Sequence, residues 1–427
     1  MLAFDAQLTA IMYPRIRMWW IEPTYAMIDE IAHPLFRDMD DMFFDLNGFR
    51  LIKNWRKSAQ EITFYTGATL AFKSADRPHK LRGPSIGKAY LDEITTMPNE
   101  DAVMQIIDTR MRGYGPRQVI GATTPRGNIG AVKWWLDGQR KDVRDKQGRP
   151  VFHVDVKTSY ANAHLPEGWV DQRKLTMSAE IFAQEILAEV SEISGRVYPS
   201  FRRETHYLPW DAQAELRSGH WTVVVGVDWG AIHAHAVYLA VRSVEDRPLA
   251  EVWLFDELEI ENQADEAMID ALMARLNKWP TLPKAFCPDP SNPEANALLR
   301  KAIKKRGLPC KVRYPDYTDW EGRNVLRGIE LVRQFLKLAD GTISMRVSQD
   351  IQRAGLMESG KWGAVLGLEN YAHKFDSAHK VYTDKPLDDN TYVHGMDALR
   401  YALRQLKLLG FRGDLPTHWM RLAGVQA

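Results

Sequence analysis

At 427 residues, 45% hydrophobic and 26% charged, with no low-complexity tract, the chain is too long for one ordinary core and is expected to form two globular domains. Its 56 basic and 55 acidic residues leave a net charge of +1, which excludes a surface coated in positive charge but leaves room for a local basic groove. Two cysteines, Cys287 and Cys310, are too few for a disulfide framework and sit in apolar contexts that favour buried thiols; no apolar run spans a bilayer, and MLAFDAQLTA lacks the features of a signal peptide, so a soluble cytoplasmic protein is expected.

In chain order, helical spacing runs from Ala3 to Met12, and Ile16 to Ile21 reads as a strand closed by Glu22-Pro23. Thr24 is placed to cap the next helix, whose apolar positions are Ile28, Ile31 and Leu35. Strands follow from Glu61 to Tyr65 and from Thr69 to Ser74, around the Thr66-Gly67 turn. The loop SADRPHKLRGP then leads into a strand from Ile86 to Leu91 that ends in Asp92-Glu93. Two adjacent carboxylates there fit a phosphate-hydrolysing site, the first holding Mg²⁺ through water and the second polarising the attacking water, although such a pair is more commonly just an acidic strand end. A strand from Gln118 to Gly121 ends in Ala122-Thr123-Thr124-Pro125-Arg126-Gly127, a hydroxyl-rich turn able to sense a γ-phosphate. Helices around Trp169 to Met177 and Glu180 to Val190 are expected to finish the first domain, and a polar stretch from Ser191 to Arg196 suits a hinge. Val197 to Phe201 is a small apolar anchor, with Arg202 and Arg203 beside it as either DNA-phosphate contacts or a solvated face.

The second half begins with the β-branched run Val223 to Val227, a buried central strand that ends on Asp228. Apolar segments from His235 to Val241 and Leu249 to Leu258 follow without a helix between them, which predicts an antiparallel meander. Alternation of helix (264–277, 293–305) and strand (284–287, 309–313) then predicts a parallel finish. Asp289 ends its strand as Asp228 ends its own, and Asp397 lies on a helix from Tyr392 to Leu406, sharing a face with His394 while Leu399 and Leu403 face the core. Three carboxylates from separate segments, with Glu257 as a weaker fourth, form a hard-oxygen donor set suited to two Mg²⁺ or Mn²⁺ ions, which activate water and stabilise a leaving 3′ oxygen. His394 either orients water or a phosphate, or bonds backbone at a helix start. Lys301, Lys304, Lys305 and Arg306 read as a solvated helix face; Lys374, His379, Lys380 and Lys385, in a loop-rich hairpin before Asp397, are the favoured DNA contacts.

The order WWIEPTY, LRGPSIGKAYLDE, GATTPRG, VGVDWG, CPDPS and HGMDALRYAL, from about Arg17 to Leu406, resembles the large subunit of tailed-phage terminases, the DNA-packaging motor-nucleases. The resemblance implies a RecA-like ATPase domain (1–190), a linker (191–205) and a ribonuclease H-like nuclease domain (206–427). It implies Asp92 as magnesium-holding acid, Glu93 as catalytic glutamate, and Thr123 with Thr124 as the coupling motif. It implies Arg82 as an arginine finger in trans, and Asp228, Asp289 and Asp397 as the metal-binding triad. ATP, double-stranded DNA, a small subunit, a portal protein, a ring of copies and the cytoplasm of a bacterial host follow as expectations. The chain departs from the family at its front: GxxxxGK[ST] is absent, and Gly83 to Lys88 is one residue short of it and opens a strand. Residues 1–427 are therefore expected to cut DNA with Mn²⁺ or Mg²⁺ without hydrolysing ATP at a packaging-competent rate. Two other readings are a stand-alone nuclease of the resolvase or integrase type, against which Asp92-Glu93 and the GATT turn speak, and a non-catalytic DNA-clamping subunit, against which the intact carboxylates speak.

Overall fold

A computed structural model of the chain describes residues 1–81, 83–97, 100–125, 132, 144–151, 153–189, 195–230, 233–261, 263–313, 323–351, 363–376, 381–387 and 392–411. It divides into two compact units, residues 1–157 with 188–192, and residues 158–187 with 193–427. The first unit is built on six strands: β1 (Arg17–Glu22), β2 (Ile52–Arg56), β3 (Glu61–Phe64), β4 (Thr69–Ser74), β5 (Lys88–Asp92) and β6 (Gln118–Ala122). Their order is β2-β3-β4-β1-β5-β6, with an antiparallel β2-β3-β4 hairpin pair and a parallel run from β4 to β6. The Thr24 side chain accepts a hydrogen bond from the Met27 amide, as the capping expectation requires. The apolar face of that helix differs from expectation: Ile28, Ala32 and Phe36 are buried, whereas Ile31 and Leu35 are exposed. The turn Ile28–Ala32 is a π-helix, and a widened turn moves the buried stripe to a spacing of four. Lys88, the lysine of the near-miss phosphate loop, is buried in β5 and bonded to Asp5 (2.6 Å) and Thr9 (3.1 Å) on the first helix, and so is engaged within the fold.

The second unit is built on β7 (Tyr207–Leu208), β8 (Thr222–Asp228), β9 (His233–Arg242), β10 (Glu251–Glu261), β11 (Pro283–Pro288), β12 (Lys311–Val312) and β13 (Met345–Ser348), in the order β12-β11-β8-β9-β10-β13-β7. β8, β9 and β10 form the expected antiparallel meander, and β11 and β12 add in parallel. Helix Val393–Gln405 covers the centre of one face, burying Leu399 and Leu403 with Val224, Val237 and Leu239. Its approach is as close as backbone allows, since a Cβ on Gly226 of β8 would lie 1.9 Å from the carbonyl oxygen of Ala398. Asp265–Arg275 and Pro293–Lys305 pack on the other face with Trp229, Phe255 and Phe286. Residues 373–376 (β14) and 381–386 (β15) pair as a separate antiparallel hairpin.

The short helices Trp169–Lys174 and Ala179–Glu185, expected to finish the first domain, pack with the second unit. The Ser178 hydroxyl and amide bond the Glu330 carboxylate (3.0 and 3.3 Å), and the Ala179 amide bonds the carbonyl of Lys337, contacts a linear reading cannot supply. Val197, Tyr198 and Phe201, within the expected linker, are buried in the same core, as the apolar-anchor reading requires. Cys287 and Cys310 are both buried and unbridged.

Candidate active sites

In the second unit the sheet itself aligns the acids. β11 runs parallel to β8 with Pro288 opposite Val227, and the Asp289 amide bonds the Val227 carbonyl (2.8 Å), so Asp228 and Asp289 emerge side by side at one edge. Asp228 is 5% exposed and Asp289 8%. Asp289 is held by the Ser291 amide (2.8 Å) and hydroxyl, and its carbonyl accepts from Asn296, whose own oxygen accepts from Trp229 (both 2.8 Å). Asp397 enters from helix Val393–Gln405 and is paired with the buried Arg400 one turn on. His394 Nδ1 lies 2.7 Å from Asp228 Oδ2. Burial pushes the Asp228 carboxyl up to about 7, the neighbouring Asp397 and Asp289 charges adding to this and His394 opposing it. Burial likewise raises Asp397, against the pull of Arg400 and His394. Asp228 and Asp397 thus both feel the charge of Asp289, as carboxylates that share a cation do.

Glu257 is buried nearby, but its Oε2 already accepts from the Ala364 amide (2.8 Å) and lies 3.3 Å from His235 Nε2. His235 stands between Asp228 on β8 and Glu259 on β10 in one cross-strand row, and it packs against Gly395, where a Cβ would come within 3.1 Å of its ring. Sequence reasoning missed Arg400, His235 and Glu259. The alternation HAHAV against ELEIE carries the signal, two imidazoles facing three acids across an antiparallel pair.

In the first unit Asp92 ends β5, and Glu93 follows with a left-handed backbone (φ 49°), a conformation unusual for a glutamate. Burial raises the Asp92 carboxyl. β1 lies beside β5 with Ile21 opposite Leu91, which brings in a third acid, Glu22, that the sequence presents only as a strand end. Glu22 is fully buried, accepts from the Trp20 indole (2.8 Å), and is raised to about 8 by burial, with Asp92 and Glu93 adding to it. Thr123 meets Thr95, hydroxyl to hydroxyl at 2.6 Å, and Thr95 also donates to the Thr124 carbonyl (2.9 Å). These bonds tie the end of β6 to the turn that follows Glu93.

Of the basic residues singled out, Arg203 forms a two-bond pair with Glu369 (2.6 and 2.7 Å) and Arg202 bonds the Pro199 and Phe201 carbonyls, so both are engaged within the fold. Lys301, Lys304, Lys305 and Arg306 are exposed on or just after their helix, as expected of a solvated face. Lys374 is exposed on β14. Arg82, Arg126, His379 and Lys380 lie outside the described residues, as does the side chain of Lys385 on β15.

Residues 37–205 match the family model for the terminase large subunit, T4likevirus-type, N-terminal domain. No curated protein matches the chain. Among solved structures, the large terminase of a thermophilic bacteriophage is similar at a TM-score of 0.50 and 15% identity, over 94% of this chain and 88% of that one. The HK97 bacteriophage large terminase matches over 93% of this chain and 86% of that one (TM-score 0.33, 13% identity). The manganese-bound nuclease domain of the bacteriophage SPP1 large terminase matches over 44% of this chain and 88% of that one (TM-score 0.30, 14% identity). The two sheets are those of a RecA-like fold and a ribonuclease H-like fold.

Proposed function

We propose, on the match of residues 37–205 to the terminase large-subunit model, that the chain belongs to that family and that its second unit is a two-metal endonuclease that cuts concatemeric viral DNA during packaging. The observation that carries this is the convergence of Asp228, Asp289 and Asp397 from β8, β11 and helix Val393–Gln405. Their oxygens would hold Mg²⁺ or Mn²⁺, and the ions would supply an activated water and charge stabilisation at the leaving 3′ oxygen. Asp289, fixed by Ser291, presents a preset ligand. Arg400 holds Asp397 in place, and His394 positions Asp228 through Nδ1. Lys374 on β14, with Lys380 and Lys385 after it in the sequence, would meet the DNA backbone.

In the first unit, Asp92 would hold Mg²⁺ at an ATP site, Glu93 would polarise the attacking water, and Thr123 with Thr124 would pass loss of the γ-phosphate to the turn after Glu93 through Thr95. Arg82 would reach a neighbouring copy in a ring, with a portal and a small subunit as further partners, in the cytoplasm of a bacterial host. Asp228→Ala or Asp289→Ala should abolish Mn²⁺-dependent nicking of plasmid DNA while the circular dichroism spectrum is retained. A folded variant that nicks at the wild-type rate would sink the nuclease assignment.

A further inference from the structure

β9 and β10 place a second group of metal-ligating side chains on the face that bears Asp228. His233 pairs opposite Glu261, and Glu259, two residues earlier, points to the same face. His233 Nδ1 lies 4.0 Å from Glu259 Oε1 and 3.8 Å from Glu261 Oε1, and one donor atom from each residue falls within 4.8 Å of the other two. These separations are too long for hydrogen bonds. They suit atoms arranged around a single ion, since bonds of about 2.1 Å set neighbouring donors roughly 3.0–3.4 Å apart and opposed donors roughly 4.2 Å apart. Glu261, 40% exposed, is free to rotate the remaining distance.

The second observation is the state of Glu259. Its side chain is only 6% exposed, yet it accepts no hydrogen bond from any described residue, whereas Glu257 on the same face is bonded to the Ala364 amide. A carboxylate so shielded and without a donor is stabilised by a neighbouring cation. We propose that His233, Glu259 and Glu261 form a further divalent-cation site, distinct in its ligands from the Asp228, Asp289 and Asp397 group. One imidazole with two carboxylates favours Mn²⁺ or Zn²⁺ over Mg²⁺, which seldom takes nitrogen ligands. His394 touches both groups: its Nδ1 meets Asp228, and its ring centroid lies 5.7 Å from that of His233. An ion at His233 therefore bears on the orientation of His394. The site rests on its own donors and stands whether or not the neighbouring acids cut DNA.

The test uses the full chain carrying Asp228→Asn and Asp397→Asn, which disables the other group, with Mn²⁺ titrated in and free ion read by electron paramagnetic resonance. One ion per chain is expected to remain bound, showing nitrogen modulation in the pulsed spectrum, displaced by Zn²⁺ but not by equal Mg²⁺. Adding His233→Ala should remove the nitrogen signal and weaken binding at least ~10-fold, as should Glu259→Gln for affinity. Absence of a bound ion in the parent variant would overturn the proposal, and so would a nitrogen signal and affinity that survive His233→Ala. If His233→Ala does not fold, anomalous scattering from Mn²⁺-soaked parent crystals decides the matter: an ion within about 2.5 Å of His233 Nδ1 supports the site, and none there refutes it.

Discussion

Gly226→Ala is the smallest change that should separate the three acids proposed to hold metal. The new Cβ would sit 1.9 Å from the Ala398 carbonyl oxygen and 2.8 Å from its carbon, both backbone atoms of helix Val393–Gln405. Relaxing 1.9 Å to an ordinary contact of about 3.4 Å requires the helix to recede by roughly 1.5 Å. Asp397 immediately precedes Ala398 and recedes with it, while Asp228 and Asp289 stay with the sheet. A displacement of about 1 Å in a reacting constellation costs on the order of 10²-fold in rate. Overpacking against backbone costs about 1–3 kcal/mol, which for a unit of this size lowers the melting temperature by roughly 2–5 °C. Plasmid nicking in Mn²⁺, with calorimetry on the same preparations, measures both effects. A Gly226→Ala protein that nicks at the wild-type rate would refute either the seating of the helix on β8 or the part given to Asp397.

Because burial pushes the Asp228 carboxyl up to about 7, protons should compete below that pH with any cation it holds. Mn²⁺ affinity by calorimetry should rise with pH up to about 7 and level off above it; a flat profile from pH 5 to 9 would exclude this. Glu22 has its folded pKa raised from 4.5 to about 8, so its penalty on folding is absent below 4.5, grows as pH rises, and is complete above 8. Glu22→Gln should therefore stabilise the first unit by a few kcal/mol above pH 8 and by almost nothing below pH 4.5, read as melting temperature across that range; parallel curves would count against it. Arg400→Met leaves Asp397 buried without its partner, at a cost of about 3–5 kcal/mol, and added Mn²⁺ should raise the melting temperature of this variant more than that of the wild type.

The parts of this fold that were legible in the sequence are those whose environment is set by near neighbours. The run Val223 to Val227 is buried on both faces and announces a central strand, and the acid that follows it marks the strand's end. The i, i+3 spacing of His394 and Asp397 fixed their common face. What stayed hidden depends on which distant element covers which face. His233, His235, Glu257, Glu259 and Glu261 alternate as a half-solvated hairpin would, and only helix Val393–Gln405, more than a hundred residues later, turns that stripe inward. Arg400, one turn after Asp397, reads as a surface arginine for the same reason. Residues 158–187 precede the first strand of the second sheet yet fold with it, because their partners Glu330 and Lys337 lie about 150 residues on.

The central position of helix Val393–Gln405 also sets a timetable for synthesis. β8, β9 and β10 can pair once residue 261 has been made, but Val224, Val237 and Leu239 on their covered face wait for a helix that ends at Gln405. At about 5–20 residues per second that interval is on the order of ten seconds or more, during which a ribosome-bound chain shows an apolar sheet to chaperones and to other nascent chains. The same delay withholds Asp397, so a chain still being translated, or one broken off before that residue, has two acids of the three and lacks the complete group proposed as its metal site.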